Sequence, residues 1–188
     1  PNYFGSRWTS AEFGRALAKN IAVLRVAWPD STPSVRTATA SRAELLHTEV
    51  DAATGRLADA AIERICLQLE AVRSESHAVR NVNLVSQLRN EVERINGQVL
   101  GVGPHKSIHL RLADGKKVVV YPTLGVPTST SLHDAATRSP DRPAAVVYDH
   151  VGLHPHWLEH LDWLGAHVRT ARWVKASEAA WQFADWEA

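Results

Sequence analysis

Residues 9–28 read Thr9-Ser10-Ala11-Glu12-Phe13-Gly14-Arg15-Ala16-Leu17-Ala18-Lys19-Asn20-Ile21-Ala22-Val23-Leu24-Arg25-Val26-Ala27-Trp28, and they decide the fold class. Residues 9–12 fit a capping box, with Thr9 as N-cap and Glu12 at the third helical position. Phe13, Ala16 and Leu17 follow at helical spacing, and Asn20 is a suitable terminator. The mostly apolar run over 21–28 starts at once, stops at Pro29 and reads as a buried strand. A helix leading directly into a buried strand is half of an α/β unit with a parallel sheet.

Working outward, residues 29–43 carry two prolines and scattered Ser and Thr and read as a loop, and 44–50 as a short strand. Leu57, Ala61, Ile65, Leu69 and Val72 recur at helical spacing and predict a helix over 55–73. The polar residues 74–77 interrupt that pattern. Val82, Val85, Leu88, Val92 and Ile95 form a narrow stripe that predicts a second helix over 78–96, closed by Asn96-Gly97. A domain boundary is therefore expected near residue 76, dividing the chain into 1–75 and 76–188.

The second part opens with alternating Ile108, Leu110 and Leu112, then Asp114-Gly115, then 117–121, which reads as a hairpin with a two-residue turn. A helix start at 128–131, an apolar strand at 144–148 and a helix from Pro155 to about Gly165 follow. A strand near 168–174 and a final helix from Ser177 complete it. Strands alternating with short helices predict a second small α/β module.

Composition narrows the function classes. Among 188 residues, 21 Lys+Arg stand against 20 Asp+Glu, so the net charge is 21 − 20 = +1. That balance argues against a broad nucleic-acid or anionic-membrane surface. A hydrophobic content of 45% with 22% charged residues is ordinary globular composition and argues against a disordered chain. Cys66 is the one cysteine, so no intramolecular disulfide forms and an oxidising compartment is not implied. No apolar run reaches the roughly 20 residues that span a bilayer. A cytoplasmic protein without nucleic-acid or membrane partners is expected. With no Met and Pro1 at its start, the chain reads as a piece of a longer protein.

Tyr3-Phe4, Ser6-Arg7-Trp8 and Glu12, followed by a helix and an apolar strand, resemble the second half of a TIR (Toll/interleukin-1 receptor) domain of the prokaryotic type. The likeness is good over residues 1–28 and extends loosely to about 73. It implies a partial TIR-like, flavodoxin-like parallel-sheet unit whose amino-terminal part lies outside this chain. It also implies NAD as substrate, no separate cofactor, self-association, and a role in a prokaryotic immune or signalling protein. On this resemblance Glu12 is the catalytic carboxylate, with Trp8 and Ser6 beside the substrate. The chemistry suits the residue: cleaving the nicotinamide–ribose bond builds oxocarbenium-like charge, which a carboxylate stabilises or attacks. Trp8 and Glu12 are four apart and share a helix face.

Other readings stand beside this one. Glu12 serves equally as the reciprocal half of the capping box, and Trp8 as a core residue stapled to Phe13. A non-enzymatic TIR-type assembly module fits the same motif. Nucleoside deoxyribosyltransferases also place a Glu at a helix start before an apolar strand and also cleave an N-glycosidic bond.

The carboxy-terminal part carries weaker signals. His156-Trp157-Leu158-Glu159-His160 matches H-x-x-E-H, but a third zinc ligand would have to come from a short tail, and no metal is expected. Gly101-Val102-Gly103 lacks the remainder of a dinucleotide fingerprint. Residues 128–131 read as a helix cap that could also receive a phosphate. Asp149-His150 follows an apolar strand, where α/β ligands tend to sit. Trp173, Trp181 and Trp186 read as packing or a partner surface.

Overall fold

Both elements expected over residues 9–28 are present, α1 over Arg7–Ala18 and β1 over Leu24–Ala27. The strand is not buried as expected: only Ala27 is buried, while Ile21, Val26 and Trp28 are exposed. The computed structural model describes residues 7–31, 40–151 and 153–186. Beyond α1, Asn20 takes φ 52, a left-handed conformation that Asn tolerates better than most residues. The capping box is not formed. A side chain caps from a non-helical position, whereas α1 already includes Arg7 and Trp8, so Thr9 lies inside its first turn. Trp8 is not a core residue either, being 80% exposed.

The strand β2 spans Ser41–Glu44 and pairs in parallel with β1, Leu24 opposite Ser41 and Ala27 opposite Glu44. It thus precedes the expected 44–50, where His47–Glu49 forms a 3-10 turn. Only Ala43 of its four residues is buried, so the sequence carries no apolar alternation there; pairing with β1 makes the strand. The helix α2 spans Asp59–Arg94. From it, Arg64 Nη2 donates to the Glu44 carbonyl at 3.0 Å and to the Glu49 carboxylate oxygens at 2.8 and 2.7 Å. That guanidinium, with the Leu46 N–H, holds the Glu49 carboxyl below its ordinary pKa.

One 36-residue helix thus replaces the two expected over 55–73 and 78–96. Ser74-Glu75-Ser76-His77 lacks apolar residues but also lacks Gly and Pro. Once a helix is nucleated, each further residue adds a hydrogen bond at little cost, so a polar, solvated turn does not stop it. The chain divides into two units, Pro1–Arg80 and Asn81–Ala188, with the boundary inside α2.

The second unit is built on a five-stranded sheet in order β3 (Gln98–Val102), β4 (Ile108–Arg111), β5 (Lys117–Thr123), β6 (Ala144–Tyr148), β7 (Ala171–Lys175). The pairs β3–β4 and β4–β5 are antiparallel, and β5–β6 and β6–β7 are parallel. The strand β3 had no clear sequence signal, since a bulge between Val99 and Gly101 breaks its alternation. The hairpin after β4 is as expected, but its loop has three residues: Leu112 N–H donates to Lys116 C=O at 2.8 Å, and Gly115 takes φ 87.

Two apolar layers flank this sheet. On one face Leu84, Leu88 and Val92 of α2 join Ile108, Leu110, Val118, Val120, Ala145, Val147 and Phe183. The last of these lies on α5 (Ala179–Ala184). On the other face α3 (Ser129–Arg138) packs Leu132 and Ala135 against Ala144, Val146 and Ala171. Thr128 caps α3 as expected, accepting from Ser131 N–H at 3.4 Å. The helix α4 spans Pro155–His167, opening at the expected proline. The mixed α/β class is therefore correct. No described helix is long and apolar enough to cross a membrane.

Candidate functional site

The residues taken from the TIR resemblance lie on or before α1. Trp8 and Glu12 stand four residues apart on that helix and both are exposed. Ser6 lies outside the described residues. Among the described residues, the Glu12 carboxylate has neither an ion pair nor a hydrogen bond. A hollow of about 210 Å³ in the first unit is lined by Leu17, Asn20, Ile21, Val72 and Glu75 among others. It begins more than a turn beyond Glu12, and neither Glu12 nor Trp8 lines it.

The first unit leaves much apolar surface in water. Trp8, Trp28, Leu46 and Leu67 are each at least half exposed. Parallel strands are ordinarily covered on both faces, and large apolar patches mark contact surfaces.

Histidines do not gather into a metal centre among the described residues. On α4, His156 Nδ1 lies 3.5 Å from Glu159, and both side chains are largely exposed. His160 instead stands between Trp157 and Trp163, its ring nearly parallel to that of Trp163. Asp149 turns back to accept from Val151 N–H at 2.9 Å, and His150 Nδ1 lies 3.4 Å from Ser177 Oγ. Tyr148, just before them, is buried edge-on against Trp173. Burial, with the charges of Asp162 and Glu178, pushes its phenol up to about 12.

A more polar hollow lies beside β4 and β5. About 220 Å³ in size, it is lined by His105, Ser107, His109, Tyr121, Arg138, Ser139 and Arg142, with Asp141 as its one acid. Ser107 Oγ lies 3.5 Å from His109 Nε2, and Tyr121 OH lies 3.0 Å from Ser139 Oγ. Ser107 and Ser139 are the buried polar residues of the described chain, and both face this one space. A second hollow of about 250 Å³ adjoins it, sharing His109, Val119 and Arg142 and adding Leu100, Val102 and Lys117.

No family model, curated protein or solved structure matches the chain.

The polar hollow was not read from the sequence, although half of it had a signal there. In Ile108-His109-Leu110-Arg111-Leu112 the apolar residues face the core, so His109 and Arg111 must face away from it. Arg138 and Arg142 come from the end of α3 and the loop after it, and only the tertiary fold brings them to that strand.

Proposed function

We propose that the first unit carries the catalytic helix of a TIR-type NAD hydrolase, with Glu12 as the catalytic carboxylate and Trp8 as an apolar wall beside it. One observation supports this above the others: the helix and following strand that the motif implies are both present, with Glu12 one helical turn from Trp8 and its carboxylate not engaged in capping. In the proposed reaction the bond between ribose C1′ and the nicotinamide nitrogen breaks, and its electron pair stays on nitrogen. Water adds to C1′ and loses a proton to solvent, giving nicotinamide and ADP-ribose. Glu12 stabilises the positive charge developing on the ribose.

Purified full-length protein incubated with NAD is expected to release free nicotinamide. Glu12→Gln, which removes the charge and keeps the shape, is expected to lower that release by about 100-fold or more. No release from the wild type, or equal release from the variant, defeats the enzyme reading.

A second reading has its own support. The exposed apolar side chains Trp28, Leu46 and Leu67 favour a unit that works by self-association. Sedimentation velocity separates the two: an assembling protein that leaves NAD intact is a structural module. An assembly that cleaves NAD only above its association concentration completes its pocket between copies.

A further inference from the structure

We propose that the paired hollows beside β4 and β5 bind a mononucleotide, with its phosphate toward Arg138 and Arg142 and its base against Leu100 and Val102. The site belongs to the second unit and does not rest on the Glu12 reading.

The donor set points to a phosphate. Arg138, Arg142, Ser107, Tyr121, Ser139, His105 and His109 line one space whose one acid is Asp141. Arg138 is already paired with Asp134 at 3.1 Å. Arg142 and Lys117 have no acidic partner among the described residues, and both line the adjoining hollow.

The surrounding backbone and charges agree. Arg111 stands directly opposite Lys117 in the β4–β5 register, so two like charges share one face of the hairpin, an arrangement that destabilises a sheet. His105 and Lys106 both hold left-handed backbone, at φ 55 and φ 59, where Asn or Gly would be less strained. Gly103 leaves room for His109, because a Cβ there would overlap His109 Nε2 and Ser107 Oγ, so a larger residue would displace the imidazole. The polar hollow alone is smaller than the roughly 300–1,000 Å³ of ordinary ligand pockets. Its neighbour supplies what a base needs, since Leu100 and Val102 are both exposed there.

The test is calorimetric titration of the full chain with adenosine 5′-monophosphate, adenosine, inorganic phosphate and a short 5′-phosphorylated oligonucleotide. Adenosine 5′-monophosphate is expected to bind, adenosine about tenfold or more weakly, and inorganic phosphate to compete. Arg142→Glu and the milder Lys117→Gln are each expected to weaken binding, the first by about tenfold or more. Arg89→Glu, on α2 and outside both hollows, is expected to leave it unchanged. Circular dichroism confirms that each variant is folded. The proposal is overturned by no binding at millimolar nucleotide, by equal affinity for adenosine, by unchanged binding in folded Arg142→Glu and Lys117→Gln, or by binding of the oligonucleotide alone.

Discussion

Gly97 follows α2 and precedes β3, and its hydrogen atoms occupy space that no larger group can share. A Cβ there would lie 2.8 Å from Val92 Cγ1, 3.1 Å from the Val92 carbonyl oxygen and 3.2 Å from that of Arg111. The second oxygen belongs to β4, so this point sets how closely the end of α2 approaches the hairpin. Gly97 N–H also donates to Val92 C=O at 2.9 Å, so the backbone cannot retreat without losing a bond. Two effects of Gly97→Ala oppose each other. Lower unfolded-chain entropy favours the variant by about 0.4–1 kcal/mol. Overpacking against two backbone oxygens and a buried valine costs about 1–3 kcal/mol. The clash is expected to win, destabilising the second unit by about 1–2 kcal/mol. Urea unfolding followed by tryptophan fluorescence reads this unit, since five of the seven tryptophans lie beyond residue 150. Val92→Ala removes the nearest of the three atoms. The double variant should therefore be less destabilised than the two singles added together, by about 0.5–1 kcal/mol. A neutral or stabilising Gly97→Ala, or strict additivity, would refute this account of the helix–hairpin contact.

Further predictions address the first unit and the long helix. Ser74→Pro removes a helix hydrogen bond and clashes with the preceding turn, so it is expected to cost about 3 kcal/mol and lower the 222 nm ellipticity. A protein that tolerates this change has a break at 74–77. Glu49 has a carboxyl pKa held below its ordinary 4.5 by Arg64. The folded state therefore releases this proton more readily than the unfolded chain, and the contribution to stability is present above pH 4.5 and fades as pH falls through the depressed value. The gap in Tm between wild type and Glu49→Gln should be full near neutral pH and close in strong acid. A gap that persists unchanged at low pH removes the carboxylate–guanidinium contact as its cause.

Particular residues show where reading the chain succeeds. Thr128, Pro155 and Asn96 mark helix ends correctly because their effects are local: a hydroxyl that accepts from an N–H three residues on, a ring that suits the first helical position, a side chain that tolerates positive φ. The hairpin is legible for the same reason, through alternation and a turn glycine. At the candidate sites, the position of Glu12 on a helix was legible, whereas its release from capping follows from Thr9 lying within that helix.

Local patterning in the sequence thus determined the α/β class, the strands β1, β4, β5, β6 and β7, and the α2 face that buries Leu88. Tertiary structure decided the rest. The strand β2 exists by pairing with β1, β3 by pairing with β4, and the polar hollow by the meeting of α3's end with a hairpin about thirty residues earlier. The physical reason is range. Capping, turns and side-chain periodicity act within a few residues, but a strand's edge bonds and a converging set of donors depend on neighbours distant along the chain.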